Sequence, residues 1–158
     1  GYEGDDVHVT AEDLVGAWKL ERWEITYPAT GRVTRPFGED AMGMILYTPD
    51  GYMSAVLAER DRGSFSTPVV PKAPDAEKVR AFDGYMHYAG RYFVVQGDVH
   101  HEVEFALNMD LIGTTQIREA ELDGDRLVLS AEEPLEGGEL RRHRLQWVRA
   151  VRAGGLPG

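Results

Sequence analysis

At 158 residues the chain suits one domain and leaves little for a second. Its 42% hydrophobic fraction is enough for one core and excludes general disorder. A net charge of −10, from 27 acidic against 17 basic residues, weighs against nucleic acid or an anionic membrane surface as partner. The absence of cysteine excludes disulfides, thiolate chemistry and cysteine-ligated metal, and fits a cytoplasmic location.

In chain order, the acidic stretch from Gly1 to Asp6 lacks the charged-then-apolar pattern of a signal peptide, so nothing there is expected to direct export. No run approaches the roughly 18 apolar residues of a membrane helix. Thr10-Ala11-Glu12-Asp13 reads as a helix start, with Thr10 as cap and acids in the first turn. It leads into Leu14-Val15 as a single turn that plugs one end of the fold.

Beyond it, short segments rich in β-branched and aromatic residues alternate with turn signals. These signals are Thr30-Gly31, Asp50-Gly51, Gly97-Asp98, Asp123-Gly124 and Gly137-Gly138. The segments predict eight strands, over 16–27, 41–48, 51–59, 90–97, 98–107, 113–122, 125–132 and 140–150. An antiparallel meander of eight closes naturally into an all-β up-and-down barrel, which removes its exposed edges. A barrel of that size is filled by side chains or holds one small ligand.

Two segments interrupt the meander. Glu59 to Ala73 is long for a connection and carries Gly63, Pro68 and Pro71. A helix follows from Asp75 to Tyr88, whose Val79, Phe82, Met86 and Ala89 form one apolar stripe at helical spacing. That stripe packs on the barrel wall or forms a lid over its mouth, and the wall is the simpler reading. Near the C-terminus, Arg141-Arg142-His143-Arg144 reads as a solvated strand face pairing with acidic neighbours.

Strand alternation separates the candidate site residues by face. Val99, His101, Val103, Phe105 and Leu107 share the apolar, inward face of the fifth strand. His100, Glu102 and Glu104 lie opposite at metal-ligand spacing, but a solvated polar face explains the pattern, and no metal is expected. In the sixth strand Gln116 and Arg118 share a face with Ala120 and Leu122. A guanidinium entering an apolar lumen either pairs with a barrel carboxylate or anchors a ligand carboxylate, enolate or ketone. His101 is a hydrogen-bonded core histidine or a lumen proton donor and acceptor. His87 falls on the helix, facing solvent more readily than the cavity. Trp18, Trp23, Tyr47, Met53, Leu57, Phe105 and Trp147 supply the candidate wall. Serine-hydrolase, phosphate-loop, dinucleotide and zinc-protease motifs are all missing.

Longer motifs carry a family resemblance. Gly16-Ala17-Trp18 has the Gly-x-Trp that opens lipocalin barrels. Arg35-Pro36-Phe37-Gly38-Glu39-Asp40-Ala41-Met42-Gly43 and Leu46-Tyr47-Thr48-Pro49-Asp50-Gly51-Tyr52-Met53-Ser54-Ala55 resemble the lipocalin-like domain family of bacteria and fungi. Tyr88-Ala89-Gly90-Arg91-Tyr92, Gln116-Ile117-Arg118, Leu122-Asp123-Gly124-Asp125-Arg126-Leu127 and Arg144-Leu145-Gln146-Trp147 extend the likeness from about 14 to 150. It implies a single lipocalin-like barrel spanning 1–158. Two departures stand out. His101-Glu102-Val103-Glu104 replaces a family His-His-Val-Glu, and Met109-Asp110-Leu111 stands where Pro-Asn-Trp is common.

The expected function is binding of a small hydrophobic or amphiphilic metabolite in the lumen, with Arg118, Gln116 and His101 reading its polar end. Similar barrels sometimes act as cyclases or isomerases of natural-product biosynthesis, so the resemblance also implies a cofactor-independent enzyme of secondary metabolism as the alternative. No cofactor, nucleic acid or membrane partner is expected; the oligomeric state is left open.

Overall fold

The computed structural model describes residues 8–151. Its strands are β1 (Gly16–Tyr27), β2 (Arg32–Thr34), β3 (Met42–Tyr47), β4 (Tyr52–Ala58), β5 (Tyr85–Val95), β6 (Asp98–Ala106), β7 (Thr115–Asp123), β8 (Arg126–Pro134) and β9 (Leu140–Arg149). A one-turn helix α1 (Ala11–Leu14) precedes them, and α2 (Asp75–Asp83) lies between β4 and β5. The β2 segment is a three-residue ribbon on the end of β1; the other eight strands form the barrel. They run as an antiparallel meander from β1 through β3 to β9, and β9 pairs back onto β1 from Trp18↔Arg149 to Thr26↔Arg142.

Tight turns set the registers. The β5–β6 hairpin turns through Gln96 and Gly97, both at positive φ, the signature of a two-residue loop matched to strand twist. At the end where β1 begins, Thr10 caps α1 by accepting from the Asp13 backbone N–H, and Asp13 returns a bond to Thr10. Leu14, Trp18, Tyr47, Tyr92, Val99 and Leu127 fill this end completely. The Trp18 indole donates to Leu14 O, and Arg149 stacks over Trp18 while donating to Val15 O and Asp13 O. The plug expected from Leu14 is therefore present, held on both sides.

The interruption between β4 and β5 differs from expectation. Helix α2 stops at Asp83, and Gly84 hands the chain directly to β5, which starts five residues before the predicted strand. Residues 85–91 pair with β4 from Ala58↔Tyr85 to Tyr52↔Arg91, so Met86 and Ala89 belong to a strand. The supposed helical stripe does not exist: Val79 is 57% exposed, Phe82 is exposed too, and neither packs on the wall. The helical spacing arose where a short helix meets an alternating strand. His87 consequently points outward from β5 and bonds Ser54 Oγ at 2.9 Å. The long loop is tied chiefly to α2, with Arg62 also stacked over the Tyr85 ring of β5. Arg62 donates to Ala81 O, Arg80 to Asp61 O, and the Ser66 backbone N–H to Glu77.

A second difference lies in β6. The register passes from Ala89↔Phe105 to Gly90↔Val103, leaving Glu104 as an extra, bulged residue. Alternation flips across the bulge. Val99, His101 and Val103 point inward as expected, but Phe105 turns out to solvent at 67% exposure. Phe105 is thus no part of the wall. Gly90 makes the bulge possible, because a Cβ there would run into the carbonyl oxygen of Glu102 and reach the Glu104 backbone nitrogen at 3.0 Å. Gly90→Ala should therefore cost about 3 kcal/mol of stability through overpacking against backbone. Chemical denaturation will show the lowered midpoint, with the barrel's far-ultraviolet signature retained below it.

Candidate functional site

The closed end leaves the remaining lumen hollow. A cavity of about 120 Å³ lies inside, walled by Trp23, Ile45, Ala55, Leu57, Met86, Leu129, Leu145 and Trp147, with Tyr88, His101, Arg118 and His143 as its polar members. Every barrel strand contributes at least one of these residues. The walls are apolar because each strand presents its alternate residues inward, as in Ile45 and Tyr47 on β3 or Met53, Ala55 and Leu57 on β4.

His101 stands at the centre of the polar group, 1% exposed. Its Nε2 lies 2.8 Å from the Tyr47 hydroxyl and its Nδ1 2.7 Å from the Tyr88 hydroxyl, so both ring nitrogens are engaged. Burial, reinforced by the positive charge of Arg118 and by His100, pushes its pKa down to about 3. The imidazole is therefore neutral at physiological pH, donating through one nitrogen and accepting through the other. Burial also raises both tyrosines, Tyr47 well above its ordinary value; the nearby Arg118 partly offsets the rise at Tyr88. The three groups form an uncharged hydrogen-bonded chain, which suits an apolar interior far better than an ion pair.

Arg118 reaches the lumen from β7, where burial alternates with Gln116, Arg118, Ala120 and Leu122 on the inner side. Its guanidinium donates to the Ile117 carbonyl oxygen at 3.0 Å and to Gln116 Oε1 at 3.5 Å. Gln116 in turn donates to Thr114 Oγ1 at 2.9 Å. No carboxylate among the described residues lies within 4.0 Å of Arg118. The β7–β8 ladder ends at Glu119↔Ser130, although both strands continue beyond it. The resulting cleft is lined by Thr115 to Glu119 and Ser130 to Glu132. Arg118 lines both cleft and cavity, so it stands where solvent meets the lumen.

At the far end of the cavity, Trp23 Nε1 donates to His143 Nδ1 at 3.2 Å, and His143 Nε2 meets Glu133 Oε1 at 2.7 Å. Arg141 donates to the same Glu133 oxygen and holds its carboxyl below the usual range. Burial lowers the pKa of His143, with Glu133 opposing that shift. The basic run of β9 is thus split by alternation. Arg142 faces out to Glu119 and Glu132, the acidic partners expected of a solvated face. His143 faces in.

Of the residues singled out in the sequence, His101, Arg118, Trp23, Leu57 and Trp147 meet at the cavity. Trp18 and Met53 are core side chains outside its lining, and Tyr47 acts behind His101. Gln116 lines the cleft and touches Arg118. Tyr88 and Met86 were hidden by the helix expected over 75–88. His143 could have been found: Leu145 and Trp147 face inward, and position 143 shares their parity. On the outer face His100 stacks on Phe93 at 4.7 Å, and no group of three or more His, Asp or Glu side chains gathers at metal-binding distance among the described residues.

This closed, plugged and hollow eight-stranded barrel defines a lipocalin-type protein. The profile of the lipocalin-like domain family matches residues 15–150, and the chain belongs to that family. It matches no curated protein and no solved structure.

The buried neutral imidazole makes stability depend on pH. The folded pKa of His101 lies below the unfolded value near 6.5, so its contribution is complete above pH 6.5. It is lost as pH falls toward about 3, where the unfolded chain binds the extra proton. Between pH 7 and pH 5 this group should cost about 2 kcal/mol. Denaturant titrations at the two pH values should give that difference for the native chain and a clearly smaller one for His101→Gln, which retains His143.

Proposed function

We propose that the barrel binds a small hydrophobic or amphiphilic metabolite in its lumen, with Arg118 anchoring the polar end. The observation that carries this reading is Arg118 itself. A half-buried guanidinium at the wall of an apolar cavity, without a carboxylate of its own among the described residues, keeps donors free for an occupant that displaces solvent from it. A ligand carboxylate, enolate or ketone supplies an acceptor in the geometry a guanidinium suits best. Gln116 steers the guanidinium, and His101 orders the hydroxyl beside it. The cysteine-free composition supports a reducing compartment such as the cytoplasm. Among the described residues no helix is long and apolar enough to cross a membrane.

Volume favours binding over cyclisation. A cavity of about 120 Å³ is the size that accommodates a single aromatic ring. Folding a long polyene or polyketide chain for cyclisation would need the walls to part. Isomerisation of a one-ring substrate by the same donors remains the enzymatic alternative, since an oriented guanidinium can stabilise a developing enolate without a cofactor.

The test is mass spectrometry of a lipophilic metabolite extract before and after incubation with purified protein. Binding predicts stoichiometric retention of one unchanged compound. Consumption of a compound by substoichiometric protein, with a product of equal mass, would replace binding with isomerase or cyclase activity. Arg118→Met should weaken the retained compound by about 10–100-fold, as expected for losing a charged hydrogen-bond partner. Unaltered affinity in that variant would remove Arg118 from the site.

A further inference from the structure

The polar groups around the cavity allow a complete account of their hydrogens. Trp23 spends its N–H on His143 Nδ1, which leaves His143 protonated at Nε2, and that proton goes to Glu133. Neither residue has a donor left for an occupant. The chain through His101 has two possible directions. In one, Tyr88 donates to Nδ1 and Nε2–H donates to Tyr47. The Tyr47 O–H would then have no acceptor, because His101 Nε2 is its partner among the described residues and the phenol is sealed in the closed end. An unsatisfied hydroxyl buried in that position is disfavoured. In the other direction Tyr47 donates to Nε2, Nδ1–H donates to Tyr88 Oη, and the unspent proton belongs to Tyr88. Tyr88 is a cavity-lining residue, so only this direction delivers the spare hydroxyl to a place where an occupant can use it.

Trp147 adds an independent observation. It also lines the cavity, it is 2% exposed, and its indole N–H is buried without any partner. Arg118 lies against the Tyr88 oxygen, towards which it can only donate, and keeps N–H groups beyond those it spends on Ile117 and Gln116. We propose that the lumen presents only donors to its occupant, from Tyr88, Trp147 and Arg118, and that it selects a ring-sized apolar molecule ending in a carboxylate. Tyr88 touches the ligand; Tyr47 and His101 are positioning residues that fix which way its proton points. An ammonium head would meet three donors and a like charge. A neutral alcohol would satisfy one donor while bringing another that finds no acceptor.

This inference rests on the lumen being a binding site, and its test separates the two. Nitrogen-15 correlation spectra of the imidazoles, with His101 assigned by the His101→Gln variant, read the tautomer in the free protein. The proton is expected on Nδ1; finding it on Nε2 overturns the donor count. Calorimetric titrations with toluene, benzoate, benzyl alcohol and benzylamine then read selectivity. Benzoate is expected to bind at least tenfold more tightly than the alcohol, with benzylamine weakest. Tyr88→Phe should cost benzoate about tenfold and leave toluene unchanged. Toluene binding as tightly as benzoate would overturn the proposed ligand class while leaving the lumen a binding site. If none of the four binds, the lumen-binding reading fails, and the ligand class with it.

Discussion

Closure of β9 onto β1 is the constraint on which everything else in this molecule depends. The ladder covers nearly the whole of both strands and converts a meander with two open edges into a closed wall, parted locally between β7 and β8. It also brings Trp23 and Trp147, from near the two ends of the chain, to the same cavity. Without that pairing there is no inside for the alternating residues of the remaining strands to share. The plug at one end extends the same seam, since Arg149 of β9 grips the α1 turn that leads into β1.

Within that enclosure the distribution of polarity is uneven. The plugged end is filled by buried side chains, as expected of a small barrel core. The other end carries a tyrosine–histidine–tyrosine chain, an indole–imidazole–carboxylate chain and a guanidinium. The second chain is internally satisfied, the first keeps a single unspent hydroxyl proton, and the imidazole of the first is held neutral by burial. Their cost is small because each bond removes one donor and one acceptor from the apolar interior. The guanidinium and the Trp147 indole do not share that economy, and both keep N–H donors unpaired at the cavity wall.

Much of the fold was legible from the sequence because a barrel meander is written in short-range signals. Turn glycines gave the hairpins, and alternation gave the faces of β7 and of β6 as far as Val103. Thr10 with Asp13 gave the N-terminal turn. The failures have local physical causes. At 84–89 a helix of nine residues runs straight into a strand, and apolar positions three or four apart on either side of Gly84 imitate one continuous stripe. At Glu104 a bulge reverses the alternation, so Phe105 was assigned to the wrong face; its signal was Gly90 on the neighbouring strand. Parity alone placed His101 and Arg118 at the inner wall. Tyr88 was lost because its element was misread, and His143 because its charged neighbours suggested solvent.

The unfinished ladder between β7 and β8 has a consequence for how such barrels diversify. Backbone groups of 115–118 and of 131–134 are not joined across that gap, so the two strands can change spacing there without breaking any bond that closes the barrel. The gap is bounded by the side chains of Thr115 to Glu119 and Ser130 to Glu132 and by Arg142, which bridges Glu119 and Glu132 on its outer side. Substitutions confined to this seam can widen or narrow the cleft while the plug and the hydrogen-bonded interior stay fixed. Solvent-facing positions along this seam can therefore be edited while the folding instructions of the other strands stay intact.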